Sequence, residues 1–136
     1  MSNSVLLAVA AIWVAMPVGP AQAAGDPLQP YRWKNRVVVA LAPTIDDPAL
    51  QDQRRIFRDF GAEARGRDLV LVEATDDTPR GAALRRRFGG GPGFRAVLIG
   101  KDGGEKLASG APLRRDDLFP VIDAMPMRQD EMSRKF

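Results

Sequence analysis

Residues 37–48 read VVVALAPTIDDP, an unbroken apolar run that passes through a short turn into an Asp-Pro pair. A strand without polar alternation is typical of burial on both faces, so we predict a central strand from Arg36 to Ala42. Asp47 is a common helix N-cap residue, and Pro48 suits the first helical position because its missing N–H needs no partner there. The stretch therefore predicts a strand-turn-helix corner around which the rest of the chain folds.

The chain beyond this corner alternates between helical and strand patterns. In order, it predicts a helix from Pro48 to about Gly66, a strand at 69–72, a helix at 79–88, strands at 94–99 and 105–109, and a helix near 118–125. The Asp-Gly pair at 102–103 predicts a tight hairpin between the last two strands. If Asp117 is its N-cap, the final helix starts late and holds Pro120 in the first turn, where proline costs little; the alternative is a kink at Pro120.

This order of elements, β-α-β-α-β-β-α, predicts an α/β fold with a four-stranded mixed sheet and helices on both faces. We expect two right-handed parallel crossovers followed by an antiparallel hairpin, which is a minimal thioredoxin-like arrangement. The chain has 136 residues, of which 45% are hydrophobic, and this composition is typical of one globular domain.

The N-terminal segment has the features of a secretory signal peptide. No charged side chain precedes Asp26, and the apolar run at 5–16 is shorter than the ~20 residues that a membrane span needs. Ala21 and Ala23 fit an A-x-A cleavage site. We predict a signal peptide at 1–23, cleavage after Ala23, and a periplasmic or secreted chain without a membrane span. Because the opening MSNS lacks Lys and Arg, an uncleaved anchor is the alternative.

The rest of the chain divides into three parts. They are a lead-in at 24–35, a domain at 36–126 and a polar tail at 127–136, whose conformation the pattern leaves open. In the lead-in, we expect Leu28, Tyr31 and Trp33 to pack on the domain and cover a sheet edge or one end of the core. The alternative is that Tyr31 and Trp33 are exposed aromatic residues of a partner site.

The absence of cysteine and histidine removes much enzyme chemistry. Zero Cys excludes disulfides, thiol redox activity and thiolate metal sites, and zero His removes the commonest general base and metal ligand. We predict no catalytic residue, no metal ligand and no cofactor. The net charge is +3 with acidic residues interspersed, which argues for a solvated surface and against a nucleic-acid interface.

The turn after the first strand is the first candidate site. Its residues are Pro43, Thr44, Asp46 and Asp47. Open α/β sheets place their sites at the carboxyl ends of strands, and paired carboxylates can share a proton or hold a hard cation. The alternative, which we favour for Asp47, is that its carboxylate caps the following helix.

The arginines form a second candidate, an anion patch. Its members are Arg85, Arg86, Arg87 and Arg95. Consecutive helical residues point in different directions, so a solvated helix face is the favoured interpretation of the triplet. The nearby GGGPG lacks the phosphate-loop pattern and predicts a flexible connection. Lys101 and Lys106 belong to the hairpin and are expected to be exposed.

Several segments resemble the domain-of-unknown-function 4174 (DUF4174) family. They are YRWKNRVVVALAP, RDLVLVEATDD, LRRRFG, VLIGKDGGEKLAS and LFPVIDAMPMRQDEM, within residues 28–132. The most specific pieces are IGKDGG (99–104) and IDAMPMRQDEM (122–132). The resemblance implies a thioredoxin-like fold, bacterial origin, export and no established reaction, and the domain is also similar to modules of sushi-repeat extracellular proteins. Redox relatives carry Cys at the corner and a cis-proline where Arg95 stands here.

Together these features predict an exported, cysteine-less binding module that is not an enzyme. Its partner is predicted to be a protein or an anionic surface. Two alternatives stay open: a peroxiredoxin-like enzyme remnant that uses carboxylates or a bound cation at the corner, and binding of anionic surfaces through the arginines.

Overall fold

The computed structural model describes residues 25–134, so the predicted signal peptide lies outside the described residues. The strands are β1 (Arg36–Ala42), β2 (Leu69–Thr75), β3 (Arg95–Ile99) and β4 (Glu105–Ser109). The helices are α1 (Pro48–Phe60), α2 (Ala62–Gly66), α3 (Pro79–Phe88), α4 (Arg115–Asp123) and α5 (Pro126–Ser133), and a 3-10 turn at Gln29–Tyr31 precedes β1. The strands form one mixed sheet in the order β2-β1-β3-β4.

The predicted α/β fold with helices on both faces is confirmed. All seven residues of β1 are buried, and β1 pairs with β2 on one side and β3 on the other. Val37, Val39 and Leu41 pack with Leu84 and Phe88 of α3. The intervening residues of β1, such as Val38 and Ala40, lie on the opposite face of the sheet and face α1, α2 and α4, whose side chains form the second half of the core. The apolar run of β1 thus divides the core into two layers.

The predicted second parallel crossover is wrong, because β3 runs antiparallel to β1 with Leu41 opposite Arg95. The chain reverses after α3 in the glycine segment at 89–93, where four glycines adopt positive φ. Arg85 holds this reversal by donating to the carbonyl oxygens of Gly91 and Gly93 at 3.1 and 2.7 Å. Residues 89–93 therefore form a defined turn that returns β3 to the end of the sheet where β1 stops.

The corner after β1 folds as predicted, but its helix is shorter. Asp47 accepts a hydrogen bond from the N–H of Leu50 at 3.1 Å, and Pro48 is the first helical residue. The helix ends at Phe60 instead of near Gly66, because Gly61 adopts φ +53° and starts the separate short helix α2. Glycine tolerates this left-handed conformation without steric cost.

The prediction that Asp117 caps α4 is also wrong, since Arg114 is the N-cap residue. Asp117 lies in the first turn and accepts from the N–H of Arg114 at 2.9 Å. The buried amide of Gln53 sets this start, because it bonds both the N–H and the C=O of Leu113, at 2.7 and 3.0 Å. Pro120 therefore lies in the middle of a short helix, on its exposed side.

The lead-in and the C-terminal segment both belong to the folded unit. Leu28 is buried and Tyr31 packs on the α3 side of the core, whereas Trp33 is 62% exposed, contrary to expectation. The polar tail from Met127, whose conformation the pattern left open, is helical to Ser133 as part of α5. Within residues 25–134, no helix is both long and apolar enough to cross a membrane.

Candidate functional site

The turn after β1 places its candidate residues at the surface. Pro43, Thr44 and Asp46 are exposed, while Asp47 is half-buried and uses its carboxylate to cap α1. The side chain of Gln51 ties the turn to the helix by donating to the carbonyl oxygen of Ile45 at 2.8 Å. Across residues 25–134, no three acidic side chains converge as they would around a metal ion.

The arginines of the predicted anion patch engage different partners. Arg85 pairs with Asp76 at 3.0 Å and holds the glycine turn. Arg87 pairs with Asp26 of the lead-in at 2.6 Å, whereas Arg86 is exposed. Arg95 lies on the sheet, 3.9 Å from Glu105. The structure thus distributes the four guanidinium groups among a turn, the lead-in, solvent and a strand pair.

A different basic site lies at the opposite end of the sheet, around Arg36. This arginine is the first residue of β1 and is only 1% exposed. Its two terminal nitrogens donate to the two carboxylate oxygens of Glu131 in α5, at 3.1 and 3.2 Å. One of them also donates to the carbonyl oxygen of Arg67 at 2.9 Å. Paired hydrogen bonds of this kind give a guanidinium and a carboxylate a defined orientation.

Lys101 joins the same carboxylate, and the expectation that it is exposed is wrong. It follows β3, is 8% exposed, and donates to Glu131 at 2.5 Å and to Asp68 at 2.9 Å. Its carbonyl oxygen accepts from the N–H of Trp33 at 2.7 Å. The ends of β1 and β3 are adjacent here, since Val37 pairs with Ile99. Sheet pairing therefore brings Lys101 and Arg36 to one place.

A second set of ion pairs extends this cluster along the helices. Arg128 of α5 is buried and contacts Asp123 at 3.3 Å, Glu131 at 3.8 Å and the carbonyl oxygen of Gly66 at 2.8 Å. Arg67 holds the two carboxylate oxygens of Asp123 at 3.0 and 2.8 Å. We call the whole set the Arg36 network; its members are Arg36, Arg67, Asp68, Lys101, Asp123, Arg128 and Glu131.

A cavity of about 170 Å³ opens beside the network. We call it the Arg36 pocket; its lining residues are Arg36, Gly100, Lys101, Asp102, Lys106, Met125, Pro126 and Met127. The lining combines cationic side chains from the sheet and its hairpin with apolar side chains at the N-cap and first turn of α5. The Nε–H of Arg36 is buried and has no acceptor among the described residues. A buried donor without a partner is costly, and the Nε–H of Arg95, at the other end of the sheet, is in the same state.

The network shifts the titration of its carboxylates. Burial acts to raise the pKa of Glu131, but the hydrogen bonds and positive charges of Arg36 and Lys101 outweigh it and hold the pKa below its ordinary value of 4.5. The hydrogen bond from Arg67 is the main cause that lowers the pKa of Asp123. Both carboxylates are therefore stabilised in their charged form.

Sequence reasoning missed this site, although two signals for it were present. Arg36 has the same strand phase as Val38 and Ala40, so a central strand must bury its side chain against the helices. In addition, the two segments that carry the resemblance most specifically, 99–104 and 122–132, supply Lys101 and Glu131 and most of the pocket lining. No local pattern, however, indicates that these segments meet.

Replacing Glu131→Gln is expected to lower the free energy of unfolding by about 3 kcal/mol, because it leaves the buried charges of Arg36 and Lys101 without their shared carboxylate. Chemical denaturation measures this loss. The control is Asp130→Asn, which removes the charge of an exposed neighbour on the same helix and should change the free energy by less than about 0.5 kcal/mol. Equal effects of the two variants would contradict the assigned role of Glu131.

Stability is also expected to fall in acid. Because the folded-state pKa of Glu131 lies below its ordinary value of 4.5, the stabilisation is present above that value and disappears as the pH drops through the folded-state pKa. Melting temperatures between roughly pH 6 and pH 3 should therefore fall less steeply for Glu131→Gln than for the wild type. Parallel curves would show that Glu131 does not contribute to the acid sensitivity.

Comparison with known proteins shows the family of the chain. No curated protein sequence matches it. A family model does match, over residues 27–131, and its description is domain of unknown function (DUF4174). The match includes Arg36, Lys101 and Glu131, together with every residue that lines the Arg36 pocket. The chain therefore belongs to the DUF4174 family.

Proposed function

We propose that this chain is an exported, cysteine-less thioredoxin-like module that acts by binding a ligand and not by catalysis. The strand order β2-β1-β3-β4, with β1 parallel to β2 and antiparallel to β3, supports the thioredoxin-like assignment. The uncharged apolar leader that ends in an A-x-A sequence supports export.

The ligand site is the Arg36 pocket. The observation that carries this assignment is the Nε–H of Arg36, which is buried without an acceptor in a residue that lines an open cavity. Because the nitrogen has almost no accessible surface, the acceptor atom of a ligand reaches it only when the neighbouring lining side chains shift on binding. By contrast, the carboxylate of Asp47 caps α1, so the corner after β1 has fewer polar groups available to bind a ligand.

The pocket lining supports binding better than turnover. It contains no hydroxyl side chain, and its one carboxylate, that of Asp102, is paired with Lys106 at 3.0 Å. The amine of Lys101 already donates to Asp68 and Glu131. Nucleophilic catalysis needs an activated nucleophile, and none of these groups is free to act as one.

Equilibrium dialysis of the full chain against a small-molecule extract of a bacterial culture tests the proposal. We expect mass spectrometry to detect at least one compound that the wild type retains and the variant Met127→Glu loses, because the new carboxylate lies at the pocket rim. The matched control is Ser133→Glu, which adds the same charge to the far end of α5 and should retain the compound. Identical retention by the wild type and Met127→Glu would overturn the assignment of the site.

Export has its own test. Expression with the native N-terminus in a Gram-negative bacterium should yield a periplasmic or secreted product that begins at Ala24, which intact-mass measurement identifies. Signal peptidase requires a small residue before the cleaved bond, so Ala23→Phe should block cleavage, while Ala24→Phe on the other side should not. An uncleaved, membrane-bound wild type would instead support the anchor.

A further inference from the structure

We infer that the ligand of the Arg36 pocket is a small monocarboxylate with a compact apolar group, about the size of benzoate. The inference rests on the proposed function and adds the chemical class of the ligand. Three properties of the pocket carry it: the kind of polar group left unpaired, the balance of charge, and the shape and composition of the cavity.

The unpaired polar groups are donors. A guanidinium has five N–H bonds, and Arg36 makes three hydrogen bonds, all from its terminal nitrogens, while its Nε–H has no acceptor among the described residues. An ammonium has three donors, and Lys101 makes two side-chain hydrogen bonds. The first turn of α5, which lines the same cavity, has no side-chain cap. The ligand must therefore bring acceptor oxygens.

The balance of charge favours a single negative charge. The network and the pocket together contain five cations, Arg36, Arg67, Lys101, Lys106 and Arg128, against four carboxylates, Asp68, Asp102, Asp123 and Glu131. One positive charge is thus in excess within this set of nine residues. The start of α5 adds the partial positive charge of a helix N-terminus. A monoanion compensates the excess, whereas a dianion would exceed it.

The cavity also needs an apolar ligand group. Met125, Pro126 and Met127 supply the apolar part of the lining, and methionine adapts its shape to different partners. The volume of about 170 Å³ is close to that of a cavity of about 150 Å³ that binds benzene in another protein. A ring or branched chain of that size fills the pocket while its carboxylate lies against Arg36 and Lys101. Inorganic phosphate would leave this wall without contacts.

Methyl NMR of the full chain with labelled methionine tests this assignment with benzoate as the probe. We expect saturable shifts of the Met125 and Met127 methyls and of the Arg36 Nε–H signal. Met132 is an internal control, because it lies on the same helix but does not line the cavity. Benzyl alcohol has the ring without the charge and should bind about tenfold more weakly, and inorganic phosphate should leave the methyls unchanged.

Two variants complete the test. Met127→Glu should abolish the benzoate shifts at Met125 by like-charge repulsion, and Ser133→Glu should preserve them. Absence of benzoate shifts, or equal binding of benzyl alcohol or phosphate, would overturn the ligand class. If dialysis still yields a compound that Met127→Glu loses, the binding function stands and only the carboxylate inference fails; if both experiments fail, both proposals fall.

Discussion

The buried guanidinium of Arg36 constrains the whole end of the sheet at which it lies. An arginine at the start of a strand that is covered on both faces cannot reach solvent, and an unpaired charge in that position is strongly destabilising. Glu131 must therefore come from α5 to meet it, and the chain must turn after α4 to place α5 there. Lys101 shares the same carboxylate, so the hairpin after β3 is tied to the helix as well.

The two ends of β1 consequently have different roles. At its carboxyl end, where open α/β sheets usually form their sites, Asp47 stabilises the start of α1 and the turn is bonded to its own helix. At its amino end, the antiparallel strand β3 finishes beside Arg36 and adds Gly100 and Lys101 to a cavity. The reversal of β3, held by Arg85, thus places the end of a second strand at the Arg36 pocket.

Local chemistry accounts for the parts of the fold that sequence reasoning predicted. The apolar run of β1 and the Asp47 cap each depend on neighbouring residues, and both are present in the structure. Apart from the end of α1, which depends on the local conformation of Gly61, the errors lie where residues far apart in the sequence interact. The start of α4 depends on Gln53, which bonds the backbone of Leu113, 60 residues away, and the direction of β3 depends on its pairing with β1. The burial of Lys101 depends on a carboxylate 30 residues away.

The sequence by itself determined the class of the fold, the central strand, the capped corner and the absence of thiol and imidazole chemistry. These follow from composition and from the short-range periodicity of hydrophobic residues. Only the tertiary structure decided that Arg36, Lys101 and Glu131 form one network beside a cavity. The sequence around a charged residue does not show which distant charge it pairs with. Such pairing depends on how strands and helices pack, and the local sequence does not encode that packing.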